Sequence, residues 1–490
     1  MKYRSQILMM SVPALYLGGQ LATGTGVYVA CLFSLAILFG LCAIEAAGGL
    51  LTSFGALNAV LIGKFLMIGL ILKTAIWDPA DKNLFAPEST AAVMAVGFLG
   101  LMLGTLLQSH LPRPKGVLIP PVWDARMYLA LTLAFLVLGY GGYLLELRSD
   151  LSGGGLQTGG ILGIARAMSN MKFFAIVPAL YFAWSSGSHR FMTHPLVLFV
   201  FVLGMVGGIF STSKLGAMET PIFYMLVAAS RYGLRDKRLL TFAALGVLYY
   251  TGVVYPYSQY VRNHGGREGG LSERVEAIVD TFERLLTNRD FRGDVMAATE
   301  DPNGSYLGNE TLRPFGRLAM VGEADKLVAA TIAQQSWTGW ETIIWGFKLA
   351  LPSFIYPDKP VFGAGNYLAH IAGEVGKTDF TTQVSYGVMA NLFNAFSYPG
   401  ALLGTLVFFC AFYYILSLCF SNASWSRHPL GGTVWFLFVV MTFQHWLVEE
   451  SVAGLVADLL NVAIVTVGIY TAARMLCPFL PEFSTVQGTE

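Results

Sequence analysis

Long apolar runs follow one another along most of this chain, and a single polar block, residues 257–397, interrupts them. Runs of roughly 17 to 25 residues are long enough to cross a bilayer as helices, which satisfy their own backbone hydrogen bonds. The pattern predicts about twelve spans, near residues 7–22, 26–44, 56–76, 91–108, 126–146, 168–186, 195–211, 216–231, 239–256, 398–420, 431–448 and 453–472. The glycine-rich stretch 46–55 reads as a re-entrant or interfacial piece between two of them. The expected fold is an all-α polytopic membrane protein of three parts. Residues 1–256 carry helices 1–9, residues 257–397 form one large, mostly helical external segment, and residues 398–490 carry helices 10–12 and the C-terminus.

Within the polar block the apolar positions recur at helical spacing. Leu271, Val275, Ile278, Val279, Phe282 and Leu285, with charges between them, predict an amphipathic helix. Residues 301–307 hold proline and glycine and read as a turn-rich link. A helix is expected over 315–335, and another over 337–354 lying on the membrane with its tryptophans at interfacial depth.

Alternate connections carry the basic residues: Arg113 and Lys115; His189 and Arg190; Arg231, Arg235, Lys237 and Arg238; Arg427 and His428; Arg474. Positive charge collects on the cytoplasmic side of membrane proteins. Both termini are then expected inside the cell, with 77–90, 146–160 and 257–397 on the opposite side. Lys2 and Arg4 ahead of an apolar stretch resemble the start of a secretory signal, but the further spans favour a retained first helix.

Composition agrees with the pattern. The chain has 490 residues, 55% of them hydrophobic and only 12% charged, far too apolar for a soluble domain pair. Its net charge of +1 says nothing for a nucleic-acid partner, and none is expected. The five cysteines (Cys31, Cys42, Cys410, Cys419, Cys477) lie in or beside apolar runs, so no disulfide framework supports the polar block. No P-loop, dinucleotide fingerprint or tight metal-ligand spacing occurs. A nucleotide-driven pump and a nucleotide-sugar enzyme are disfavoured, and no cofactor or metal is expected.

Charged groups gather at the external helix ends: Glu146, Arg148, Arg166, Lys214, Glu219, Glu449 and Glu450. Such groups either snorkel singly or together line a polar cavity. Lys64 falls near the middle of its span and is the deepest expected charge. Arg262, Arg313, Arg317 and Lys326 stand in the polar block, where an arginine's planar fork suits phosphate oxygens and nearby acids offer ordinary pairing instead.

Two further stretches resemble a known family. Gln335-Ser336-Trp337-Thr338-Gly339-Trp340-Glu341-Thr342, with Leu351-Pro352-Ser353-Phe354-Ile355-Tyr356-Pro357-Asp358-Lys359-Pro360, is similar to the outer-loop signature of oligosaccharide repeat-unit polymerases of the O-antigen polymerase type. Thr381-Thr382 and 387–404 resemble the lead into that family's next span, and Thr212 to Ala217 its basic outer turn. The likeness covers the last three fifths in detail and the first five spans only in hydropathy. Ser353 stands where the family often has arginine, and Asn391 where it often has glutamate.

The resemblance implies a membrane-embedded glycosyltransferase in the bacterial inner membrane. It would transfer a growing glycan from undecaprenyl diphosphate to another lipid-linked repeat unit on the periplasmic face, in surface polysaccharide or O-antigen biosynthesis. Its partners would be the lipid-linked oligosaccharide, the bilayer and a chain-length-regulating membrane protein. Arg166, Lys214, Arg262, Arg313 and Arg317 are then candidates for the diphosphate, and Trp337, Trp340 and Tyr356, with Tyr367, for stacking on sugars. Glu341, Asp358, His370 and Glu374 are candidates for the base that takes the acceptor's proton. A ligase that moves the finished glycan to another acceptor and a lipid-linked sugar flippase or secondary transporter are the alternatives.

Overall fold

A computed structural model describes residues 2–50, 52–112, 124–151, 165, 168–169, 171–188, 190–210, 214–232, 237–263, 271–288, 291, 295, 306–308, 315–316, 319–350, 356, 364–379, 382, 384–419, 452, 465 and 467–481. Among these the regular elements are all helices, with no strand. The helices are α1 (Lys2–Ala22), α2 (Val27–Ala46), α3 (Ser53–Ala75), α4 (Pro87–His110), α5 (Ala125–Leu151), α6 (Lys172–Ser185), α7 (Pro195–Phe210) and α8 (Lys214–Tyr232). Next comes α9, which runs from Lys237–Tyr249 through a π-helical turn, Tyr250–Val254, into Tyr255–Asn263. It is followed by α10 (Leu271–Thr287), α11 (Val321–Gln334), α12 (Glu341–Ala350), α13 (Ala364–Ala372) and α14 (Val388–Leu418).

Six described helices are long and apolar enough to cross a membrane: Val27–Ala46, Ser53–Ala75, Pro87–His110, Ala125–Leu145, Leu239–Val261 and Val388–Leu418. The apolar helices α6 and α7 are shorter. Helix also covers the expected spans at 7–22 and 216–231, whereas 431–448 lies outside the described residues and only the end of 453–472 is described, as helix. The stretch 46–55 is a tight turn between α2 and α3. Gly48 and Gly49 take positive φ there, and the Thr52 hydroxyl accepts from the Gly55 N–H to cap α3.

The chain forms two compact units that interleave along the sequence. The first comprises residues 1–118, 303–427 and 438–460, the second 119–302, 428–437 and 461–490. The polar block is therefore divided between them at residue 302.

In the first unit, small residues let helix backbones approach. A Cβ on Gly100 would stand 2.4 Å from the Leu402 carbonyl oxygen, and one on Gly104 2.5 Å from that of Leu406, so α4 lies directly on α14. In lipid, where lipid tails remove the hydrophobic drive between helices, close packing and interhelical hydrogen bonds hold spans together. Asn58 supplies such bonds. Its amide donates to the Ala43 carbonyl (2.9 Å), and its carbonyl accepts from the Tyr413 hydroxyl, which joins α2, α3 and α14.

The connection 76–86 is fastened from below and from the side. Lys73, fully buried at the end of α3, donates to the carbonyls of Pro79 (3.1 Å) and Lys82 (2.6 Å) and pairs with Asp78 at 2.9 Å. Gln20 accepts from the Ala80 N–H at 2.8 Å, and the Tyr306 hydroxyl donates to the Ala80 carbonyl at 2.9 Å. Asp325 of α11 then caps α4 from 235 to 240 residues away. It accepts from the N–H groups of Phe85 (2.5 Å) and Ala86 (3.0 Å) and from the Thr90 hydroxyl (2.7 Å). A carboxylate at a helix N-terminus takes up donors that otherwise lack partners. Burial lifts the Asp325 carboxyl above its usual range, and these three donors pull against it.

The second unit uses the same close packing. A Cβ on Gly139 of α5 would lie 2.6 Å from the Lys172 nitrogen, and one on Gly208 of α7 2.4 Å from the Gly216 carbonyl oxygen in α8. Helix α10, expected over 271–286, packs Ile278 and Leu285 against Tyr257 and Val261 of α9.

Asp325→Asn turns one of the acceptor oxygens into a donor that faces donors. It should cost about 1–3 kcal/mol, read as a lower midpoint of thermal unfolding in detergent micelles; an unchanged midpoint would show that α4 does not depend on this cap.

Candidate functional site

The predicted span at 398–420 begins ten residues early, because α14 starts at Val388 and is broken inside the apolar run. Phe396 (φ −140°, ψ 22°) and Ser397 (φ 59°, ψ −153°) leave the helical region, and the helix resumes through the π-helical turn Gly400–Gly404. Such a break strands the carbonyls before it, and buried carbonyls need donors. The turn 335–340 provides them. The Thr338 N–H donates to the Asn394 carbonyl and the Gly339 N–H to the Ala395 carbonyl, both at 3.1 Å. The Asn394 side chain completes the joint: its amide donates to the Thr331 hydroxyl (2.8 Å) and the Ser336 carbonyl (2.9 Å), and its oxygen accepts from the Thr338 hydroxyl (2.9 Å).

This joint holds the expected aromatic pair. Trp337 meets Phe393 edge-on (5.5 Å between centroids) and Trp340 meets Phe396 (5.0 Å), and both indoles remain exposed. The turn ends α11 at Gln335 in the left-handed region and starts α12 at Glu341. The sequence pattern over 337–354 starts the helix four residues early: 337–340 is the docked turn, the described helix is Glu341–Ala350, and 351–354 lies outside the described residues.

Glu341, Trp345 and Lys348 recur at steps of four and three and share one stripe of α12. The Tyr367 hydroxyl of α13 donates to the Glu341 carboxylate at 3.0 Å, and its ring lies 4.9 Å from that of Trp345. Burial and the Glu341 charge raise the Tyr367 phenol to about 12, so it stays a donor at neutral pH. Lys348 stands 5.4 Å from the centroid of the Tyr356 ring. Carboxylate, phenol, aromatic faces and ammonium thus line one strip. That set can stack on a sugar, accept a hydroxyl proton and pair with a phosphate.

His370, one turn beyond Tyr367, directs Nε2 to the Asp379 carbonyl at 3.0 Å and so fastens the loop that follows α13. Glu374 is held harder. Lys326 pairs with it at 2.6 Å and with Glu323 at 3.1 Å, and the Tyr386 hydroxyl donates to its second oxygen at 2.5 Å. Burial pulls the Lys326 ammonium down, but Glu323 and Glu374 outweigh it and leave it above the ordinary lysine value.

Of the phosphate candidates, Lys214 belongs to the second unit, at the start of α8, with its ammonium 3.9 Å from the Tyr255 ring centroid. Arg262 lies near the end of α9, and its side chain lies outside the described residues, as do Arg166, Arg313, Arg317 and Asp358. Lys64 lies half-buried in the π-helical turn Gly63–Met67 of α3. Asn391, expected where the resembled family often has glutamate, is buried; its oxygen accepts from the Val452 N–H at 3.1 Å, and its amide nitrogen has no hydrogen-bond partner among the described residues.

Residues the sequence did not single out carry much of this geometry: Asn394, Lys348, Asp325 and Lys73. Their signal was a polar residue at helical spacing inside an apolar stretch, which also describes many harmless positions. The chain matches no protein-family model, and neither a curated protein nor a solved structure is similar to it.

Lys326→Met takes the paired ammonium away from Glu374 in a largely buried corner and should destabilise the protein by about 3 kcal/mol. Adding Glu374→Leu should recover part of that loss, as followed by thermal unfolding in micelles. A double variant no better than the single one would mean that Glu374 is not what Lys326 neutralises. Asn394→Asp, which sets an acceptor against the Ser336 carbonyl, should expose 335–350 to trypsin; unaltered resistance would show that the turn is held by other contacts.

Proposed function

We propose that this membrane protein is a glycosyltransferase that polymerises lipid-linked oligosaccharide repeat units. It transfers the growing glycan from undecaprenyl diphosphate to another lipid-linked repeat unit on the periplasmic face of the bacterial inner membrane. Twelve crossings with both termini cytoplasmic belong to the same proposal. The observation that carries it is the strip on α12, where Glu341 and Tyr367 stand beside exposed Trp340 within the stretch that resembles the polymerase signature.

In the reaction, a hydroxyl of the acceptor sugar attacks the anomeric carbon of the donor and gives its proton to Glu341. The bond from that carbon to the diphosphate oxygen breaks, and undecaprenyl diphosphate leaves with the electron pair. Glu341 suits the role better than His370 or Glu374: it is exposed and its carboxylate accepts from a neutral phenol, while His370 and Glu374 are engaged with the chain. Leaving-group charge needs preorganised cations. Arg313 and Arg317 are assigned to it, with Arg166, Lys214 and Arg262 as the further candidates.

A secondary transporter or flippase draws support from the break in α14, since broken helices often frame transport sites. Here the stranded carbonyls at Asn394 and Ala395 are occupied by Thr338 and Gly339, which leaves the break a structural joint. A ligase differs only in its acceptor.

Cells that lack the gene should accumulate single lipid-linked repeats on the outer face and lose long chains. Repeats trapped on the cytoplasmic side would support a flippase, and long chains left on the carrier a ligase. Glu341→Gln should lower polymer at least about 100-fold with the protein still inserted, and Arg313→Ala and Arg317→Ala should do the same. Wild-type chain length in Glu341→Gln would remove the base assignment.

A further inference from the structure

One apolar stripe has no protein to cover it among the described residues. On α12 and the turn before it, Trp340 is 65% exposed, Ile344 47% and Phe347 57%. Steps of four and three place the three on one face, while Thr342 is fully buried and the Glu341, Trp345 and Lys348 stripe faces Tyr367 and Tyr356. Three large apolar side chains in a row exceed what a watery surface usually carries.

The stripe continues an exposed flank of α14. Trp340 rests on Phe396, Trp337 on Phe393, and Phe393 on Tyr398. From exposed Tyr398 the flank runs through Leu403, Val407, Tyr414 and Leu418, all exposed, the last four at steps of four, seven and four along a span that is apolar enough to cross a membrane. Twenty residues of helix from Tyr398 to Leu418 measure about 30 Å, the thickness of a bilayer's hydrocarbon core. With that flank in lipid, Tyr398 marks one edge of the core, the depth at which tryptophan and tyrosine gather. The docked turn and α12 then stand at the headgroups.

We propose that α12 is a monolayer helix: its Trp340, Ile344 and Phe347 face is embedded in the lipid interface, and the bilayer itself is the occupant of that surface. An interfacial helix of this kind sinks its apolar face about 5–10 Å into the boundary of headgroups and acyl chains. The Glu341 and Tyr367 pair is thereby held at headgroup depth. Resting on the function proposed above, that depth brings the pair level with the sugar next to a lipid-borne diphosphate.

Depth is measurable without reference to activity. With the five native cysteines replaced by alanine, Ile344→Cys and Phe347→Cys carry a nitroxide in the full chain, reconstituted in phosphatidylglycerol and phosphatidylethanolamine vesicles. Collision with oxygen should exceed collision with a water-soluble nickel chelate at both sites, with the reverse at Lys377→Cys in an exposed loop. Preferential access to the nickel chelate at 344 and 347 overturns the proposal, and so does shielding from both reagents, which would mean a protein partner covers the face. If the cysteine-free chain does not insert, p-benzoylphenylalanine at 344 in the native background replaces the label. Crosslinking to phospholipid supports the proposal, and crosslinking to protein alone refutes it. Lipid-exposed labels together with full polymer from Glu341→Gln would sink the chemical assignment and leave the surface assignment standing.

Discussion

A backbone polar group buried in protein has no water to turn to, and the first unit depends on how it meets that constraint at one place. Where α14 breaks at Phe396 and Ser397, the carbonyls of Asn394 and Ala395 lose their helical donors. An unpaired buried peptide group costs about 1–3 kcal/mol. The Thr338 and Gly339 N–H groups fill those places, so the turn 335–340 cannot drift without exposing the break. Its position in turn fixes where α12 begins, and hence where Glu341, Trp345 and Lys348 point.

The same logic governs the charges in this unit. Lys73 is fully buried beneath the connection 76–86, yet two carbonyls and Asp78 surround its ammonium. Asp325 is equally buried and satisfied by three donors at the head of α4. Both are helix-end devices: one collects carbonyls just past the end of α3, the other collects N–H groups at the start of α4. Removing either partner exposes more than one unsatisfied group, so each site behaves as a unit and not as a sum of bonds.

The six long apolar helices were legible because a helix able to cross a membrane needs only length and apolarity, both of which are local in sequence. Helix α10 was legible for a similar reason, since Val275, Ile278, Phe282 and Leu285 repeat at helical steps. The joint was not. Asn394 sits between phenylalanines, and its partners Thr331, Ser336 and Thr338 lie about sixty positions earlier. Asp325 finds its donors 235 to 240 residues away, and on its own helix it resembles any solvated acid. The one local clue to the break was Ser397-Tyr398-Pro399-Gly400, which reads as the start of a span when the helix before it is judged too polar to belong. The arginines had the opposite fate. Arg313 and Arg317 stand out by composition, but their task depends on distances that composition does not contain.

Among acids, availability separates function from structure. A general base must give up its present partner to take a proton, and the cost scales with what holds it. Glu374 is gripped by Lys326 and Tyr386 in a largely buried corner, so a substrate hydroxyl could reach it only by breaking that grip. Glu341 sits at the exposed start of α12, held by one phenol that can remain bonded while the carboxyl is protonated. Tyr367 fixes the orientation of its oxygens. The better-bonded acid is therefore the structural one, and the base, in the reaction proposed for this chain, is the acid the fold leaves half free.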